Sequence, residues 1–162
     1  MKRAWRAVAL VLAGTLLAGC GVTPSGVVDA GRAPTGVAPG VTLYFVDAHH
    51  RLRPQPRPTG RLGSIADAEA LLLSGPGDDS DLHTEIRPED VTRVTVTTSP
   101  GLVQLVVPLS SREVTPLGID QIVCTALDVY VRGGGPPSAR VRVTFTLAAP
   151  GSDRPRTCPL IG

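Results

Sequence analysis

Three cysteines, three histidines, two adjacent serines and a run of arginines are the side chains of this 162-residue chain with types and spacings that could do chemistry. Cys20 closes the stretch "TLLAGC", where Leu17, Ala18 and Gly19 place one aliphatic and two small residues directly before the thiol. That order is a lipobox. Small residues admit a peptidase to the bond before the cysteine, and the free thiol takes a diacylglyceryl group. Lys2, Arg3 and Arg6 give a positive start, and residues 7–17 form an apolar run of the length a signal peptide uses. The run is shorter than the roughly 20 apolar residues that cross a bilayer. An ordinary secretory leader would need all three features to meet at Cys20 by coincidence. Residues 1–19 therefore read as a lipoprotein leader and Cys20 as the lipidation site. Acyl chains there, at about 0.8 kcal/mol per buried methylene, would hold the chain on the extracytoplasmic face of the cell membrane.

With Cys20 set aside, Cys124 and Cys158 are an even pair in an oxidising compartment, and a disulfide between them is expected. It would close a loop of roughly 35 residues and contribute about 3–4 kcal/mol on the chain-entropy model. It would also fasten the tail, 149–162, which has few apolar residues of its own. The alternative is two unpaired thiols. Metal binding by this pair lacks the CxxC spacing.

His49, His50 and His83 raise a metal reading, but a zinc site needs three or four ligands at about 2.0–2.3 Å. Only a fold that carries His83 to the turn holding His49 and His50 would supply them. Adjacent histidines in a turn read more simply as exposed loop residues, so neither a metal nor another cofactor is expected. Arg51, Arg53 and Arg57 fall on one face of an extended segment, where they could form an anion-binding ridge for lipid headgroups or wall polymers. The competing reading is a charged edge that resists strand pairing. Ser110 and Ser111 have no G-x-S-x-G elbow around them, and a hydrolase would need His83 or a carboxylate to meet them in a cleft. The "GGGPP" at 133–137 lacks the Lys-Ser/Thr of a phosphate loop, and Asp78, Asp79 and Asp81 lack EF-hand spacing.

These residues need a scaffold, and the composition describes it. One domain fits the length. The chain has 18 Gly and 16 Pro, with aromatics at 3%, so turns are many and the core is aliphatic. Lys2, Arg3 and Arg6 are three of its 16 cations; without them 13 face 14 carboxylates, a net −1. The formal +2 belongs to the leader, so no nucleic-acid partner is expected. Residues 20–40 are Gly, Pro, Ser and Thr rich without a sustained period, which suits a flexible tether carrying the lipid anchor.

The folded domain is then 41–162. Alternation over 41–58 predicts a hairpin turning at 47–50, with prolines marking an edge. Over 64–77, Ser64 as cap, Asp67 in the first turn and Gly75-Pro76 as stop predict a helix that buries Ile65, Ala68 and Leu71, Leu72 and Leu73. Residues 91–109 read as two strands about Ser99-Pro100-Gly101. A second helix over 115–130 starts at Thr115 and Pro116 and carries Ile119, Ile122, Val123, Ala126 and Tyr130 along one side. Residues 140–147 alternate as a strand. Strands with two interspersed helices indicate an α+β fold: a small antiparallel or mixed sheet with two helices packed on one side.

The ordered segments "LYFVDA", "RLRP", "AEALLLSGP", "HTEIRP", "VTRVTV", "VQLVVPLSS" and "QIVCTALD", followed by a strand, resemble the GerMN domain of sporulation and germination proteins and of many actinobacterial lipoproteins. The resemblance runs from about Val41 to Leu147. It implies a small α+β domain outside the membrane, with a binding or structural role toward an envelope protein or wall polymer. It brings no catalytic residues with it, so no enzyme activity is expected.

Overall fold

The computed structural model describes residues 40–78, 80–87 and 93–161. The leader, Cys20 and the tether up to residue 39 lie outside them, as does Asp79. The elements are β1 (Val41–Val46), β2 (Leu52–Arg57), α1 (Ile65–Leu73), β3 (Thr95–Ser99), β4 (Leu102–Ser110), α2 (Pro116–Arg132) and β5 (Arg140–Leu147).

Both helices begin where their caps dictate. The Ser64 hydroxyl accepts the Asp67 N–H, and the Asp67 carboxylate accepts the Ser64 N–H at 3.0 Å, a reciprocal capping box. Hydrogen bonds from the Ser64 main chain and hydroxyl hold the Asp67 carboxyl below its usual range; Arg61 adds to this, and the slight burial opposes it. Thr115 accepts the Gly118 N–H at 3.1 Å, and Pro116 occupies the first helical position.

The strands form two sheets where the sequence suggested one. β1 and β2 pair antiparallel, and β3-β4-β5 is mixed, with β4 antiparallel to β3 and parallel to β5. A parallel β4–β5 pair requires a crossover, and α2 supplies it. The sheets stay apart because side chains of α2 occupy the free edge of β1. Thr125 accepts the Tyr44 N–H at 3.2 Å, and the Gln121 amide donates to the Tyr44 carbonyl at 2.9 Å. The main-chain groups of Tyr44 thus face α2, away from β2. Tyr44 pairs with Pro54, and Thr42 with Pro56, so both prolines sit where no ladder donor is needed.

α2 lies against both sheets and buries Ile119, Ile122, Val123, Ala126 and Leu127 against Val103, Leu105 and Val107 of β4 and Val141, Val143 and Phe145 of β5. β1 is covered on both faces: Leu43 and Phe45 are buried, and so are Tyr44 and Val46. Burial in α1 departs from expectation. Ile65, Ala68 and Leu72 are inside, but Leu71 is 39% exposed and Glu69 is fully buried instead. Leu147, at the end of β5, is also exposed.

The tail is held twice. Cys124 of α2 and Cys158 are joined by a disulfide with both residues buried, and Val141 and Arg156 exchange N–H···O bonds of 2.8 Å in both directions.

Candidate functional site

The β1–β2 turn is organised by Asp47. Its carboxylate accepts the His49 N–H at 2.9 Å, the Arg51 N–H at 3.0 Å and the Arg53 Nε at 2.8 Å, with the Arg51 guanidinium 3.3 Å away. Desolvation acts upward on the Asp47 carboxyl, but the hydrogen bonds from Arg53, Arg51 and His49 and the Arg51 charge outweigh it and hold the group well below the carboxylate range. His50 donates its N–H to the Asp47 carbonyl and takes a left-handed conformation at φ 56°, a region where His is tolerated better than most residues.

A second segment, 83–86, runs alongside this turn and is fixed at every residue. His83 and Val46 exchange main-chain hydrogen bonds of 2.9 Å. The Glu85 N–H donates to Gln121 Oε1 at 2.8 Å, and its carbonyl accepts the Thr115 N–H at 3.2 Å. Ile86 pairs with Val114. α2 approaches so closely that a Cβ on Gly118 would lie 2.5 Å from the Glu85 carbonyl oxygen.

The two segments together place His50 Nδ1 and His83 Nε2 each 3.5 Å from the same oxygen, Glu85 Oε1. The imidazole rings stand edge to face with centroids 6.2 Å apart. The three ligand-capable atoms all lie within 4.8 Å of one another. The fold therefore does carry His83 to the hairpin turn. His49, which the sequence paired with His50, plays no part in the cluster. Glu85 and Gln121 went unnoticed in the sequence. The available signal for Glu85 was its spacing of two from His83, which puts both on one side of an extended chain.

Among solved structures, the chain is similar to the tandem GerMN domains of the sporulation protein GerM from Bacillus subtilis, at a TM-score of 0.53 and 20% identity over 80% of this chain. The fold is that of a GerMN domain. The chain spans about half of that solved structure, 48% of its length, and at this identity the likeness is one of fold. No family model and no curated protein matches the chain.

Elsewhere in the GerMN-like domain, the arginine ridge is drawn inward. Arg51 and Arg53 are engaged by Asp47, and Arg57 donates to the carbonyls of Pro76 and Gly75 at the end of α1. Ser110 and Ser111 do not meet His83. Their hydroxyls accept the N–H groups of Arg112 and Ala149, and the Glu113 carboxylate binds the Ser110 N–H, not its hydroxyl. Asp78 and Asp81 are exposed.

At the far end of α2, Arg132 lies 3.6 Å from Asp128 and donates to the Thr42 hydroxyl. Burial raises the Asp128 carboxyl against the pull of Arg132 and Thr42, and burial with Asp128 nearby pushes the Tyr44 phenol up to about 12. This cluster closes the last turn of α2 onto β1.

Two adjoining cavities of about 370 and 390 Å³ form a groove along α1 and share Thr59, Leu71 and Ser74. Leu71 and Pro58 supply its apolar surface over a floor of buried Val41 and Leu43, and Arg57, Arg61 and Asp67 its charged lining.

Proposed function

We propose that the chain is a membrane-anchored extracytoplasmic lipoprotein whose GerMN-like domain is a non-catalytic interaction module of the cell envelope. Anchoring rests on Leu17, Ala18 and Gly19 before Cys20, behind a charged and apolar leader. The interaction role rests on the α1 groove, with its exposed Leu71 beside Arg61 and Asp67. An apolar surface with a few polar groups around it is what a binding cleft requires. Catalysis by Ser110 or Ser111 is not favoured, since among the described residues neither hydroxyl has a base as partner. The similarity to domains of a sporulation protein agrees with a role of this kind.

The reading is tested by placing a photo-crosslinking residue at Leu71, in the groove, or at Thr97, exposed on β3, in the anchored protein within its own envelope. A discrete adduct with an envelope protein or wall polymer is expected from position 71 and not from 97. No adduct at 71, or equal yields at both positions, would overturn it.

A further inference from the structure

We propose that His50, His83 and Glu85 form a binding site for one divalent first-row transition metal, with zinc as the reference ion. The donor set is two imidazoles and one carboxylate, which suits zinc and its neighbours. Magnesium and calcium are hard cations that take oxygen ligands, and two imidazole nitrogens beside one carboxylate do not suit them.

The distances suit a metal as well as an ion pair. In a tetrahedral site with bonds of about 2.0–2.2 Å, neighbouring ligand atoms stand about 3.4 Å apart. Both imidazole nitrogens are 3.5 Å from Glu85 Oε1, close to that spacing. Each contact is longer than the roughly 2.7–3.2 Å of an N–H···O hydrogen bond. The ligand atoms all lie within 4.8 Å of one another, and the His50 side chain is exposed and free of packing that would fix its rotamer.

The backbone under each ligand is already fixed. His83 is paired with Val46, Glu85 is held by Gln121 and Thr115, and His50 is tied to Asp47. Pre-organisation of this sort lowers the ordering cost of binding. Asp47 draws the guanidinium groups of Arg51 and Arg53 to its own carboxylate and offsets one of their two charges. The side chains of His50 and His83 are 74% and 45% exposed, so the remaining coordination position opens to water or to a donor from a partner. A bound metal would clamp the β1–β2 turn to the segment that leads toward α2.

The test uses the untagged full chain in detergent, stripped with chelator and titrated calorimetrically with zinc chloride. One saturable zinc per chain is expected, with no saturable heat from magnesium chloride. His83→Ala and Glu85→Gln should each weaken zinc binding at least about tenfold. His50→Asn should do the same while keeping a residue that tolerates the left-handed backbone. His49→Ala, next door but outside the cluster, should leave affinity unchanged. Circular dichroism establishes that each variant is folded. Absence of one-to-one zinc binding by the parent chain, or a loss with His49→Ala equal to that with His50→Asn, would overturn the assignment.

Discussion

Gln121 Oε1 accepts the Glu85 N–H at 2.8 Å from a fully buried position on α2, while its Nε2 donates to the Tyr44 carbonyl at 2.9 Å. One side-chain amide thereby fills the place of a strand between β1 and the segment carrying His83 and Glu85. Replacing it strands a buried acceptor and a partly buried donor together. Each unsatisfied group costs about 1–3 kcal/mol, so Gln121→Ala should lose about 2–6 kcal/mol, to which the cavity it leaves adds. Urea denaturation measures this, and a loss below about 1 kcal/mol would mean that water replaces the amide without penalty.

The Cys124–Cys158 bridge carries the second prediction. Its sequence separation of 34 corresponds to about 3–4 kcal/mol of loop-closure stabilisation. Reduction, or Cys158→Ser, should lower the melting temperature by about 10 °C at the 2–4 °C per kcal/mol typical of chains this long. Mass analysis of the purified protein without reductant should find two hydrogens missing. Two free thiols would refute the bridge.

Glu69 gives a pH-dependent prediction. It is fully buried, neither carboxylate oxygen has a hydrogen-bond partner among the described residues, and burial raises its pKa well above 4.5. A raised acid binds its proton more tightly folded than unfolded, so its contribution to stability falls as pH rises above about 4.5. Asp120 and Asp128 are also raised by burial and act in the same sense, whereas Asp47 and Asp67 are lowered and act oppositely. The readout is therefore a difference. Glu69→Gln should gain relative to the parent as pH rises from 4.5 toward neutrality. Parallel stability curves would show that Glu69 does not titrate in this manner.

Anchoring is tested by Cys20→Ala and cell fractionation. On the proposed lipoprotein reading the variant should leave the membrane fraction, because it lacks the thiol that would carry the diacylglyceryl anchor. Unchanged membrane association would refute the lipobox.

Much of the fold was legible because its signals are local. Alternation marked β1 and β5, Ser64 and Thr115 marked the helix starts, and Pro100-Gly101 marked the β3–β4 turn and the strands on either side of it. What stayed hidden depends on contacts between distant residues. Gln121 and Tyr44 are 77 positions apart, and nothing in the periodicity of either segment announces that one edges the other. The same contact keeps the two sheets separate. Glu69 was missed because it lies among alanines and leucines, where hydrophobic spacing points to Leu71, yet tertiary packing buries the carboxyl and leaves Leu71 half out. The histidine cluster was half legible: its condition, His83 reaching the turn, could be stated, but only the bridge between His83 and Val46 meets it.

The pairing of Pro54 with Tyr44 and Pro56 with Thr42 has a consequence for how copies of this chain meet. The outward-facing positions of β2 carry carbonyls but no N–H groups at two successive sites. An incoming strand finds no donors there, so β2 cannot template edge-to-edge aggregation, a hazard that grows when a protein is crowded in two dimensions. The tail engages β5 at Val141 through Arg156. Among the described residues, the outer edge of β3, rich in threonine, has no such covering and offers sheet extension between copies a place to begin.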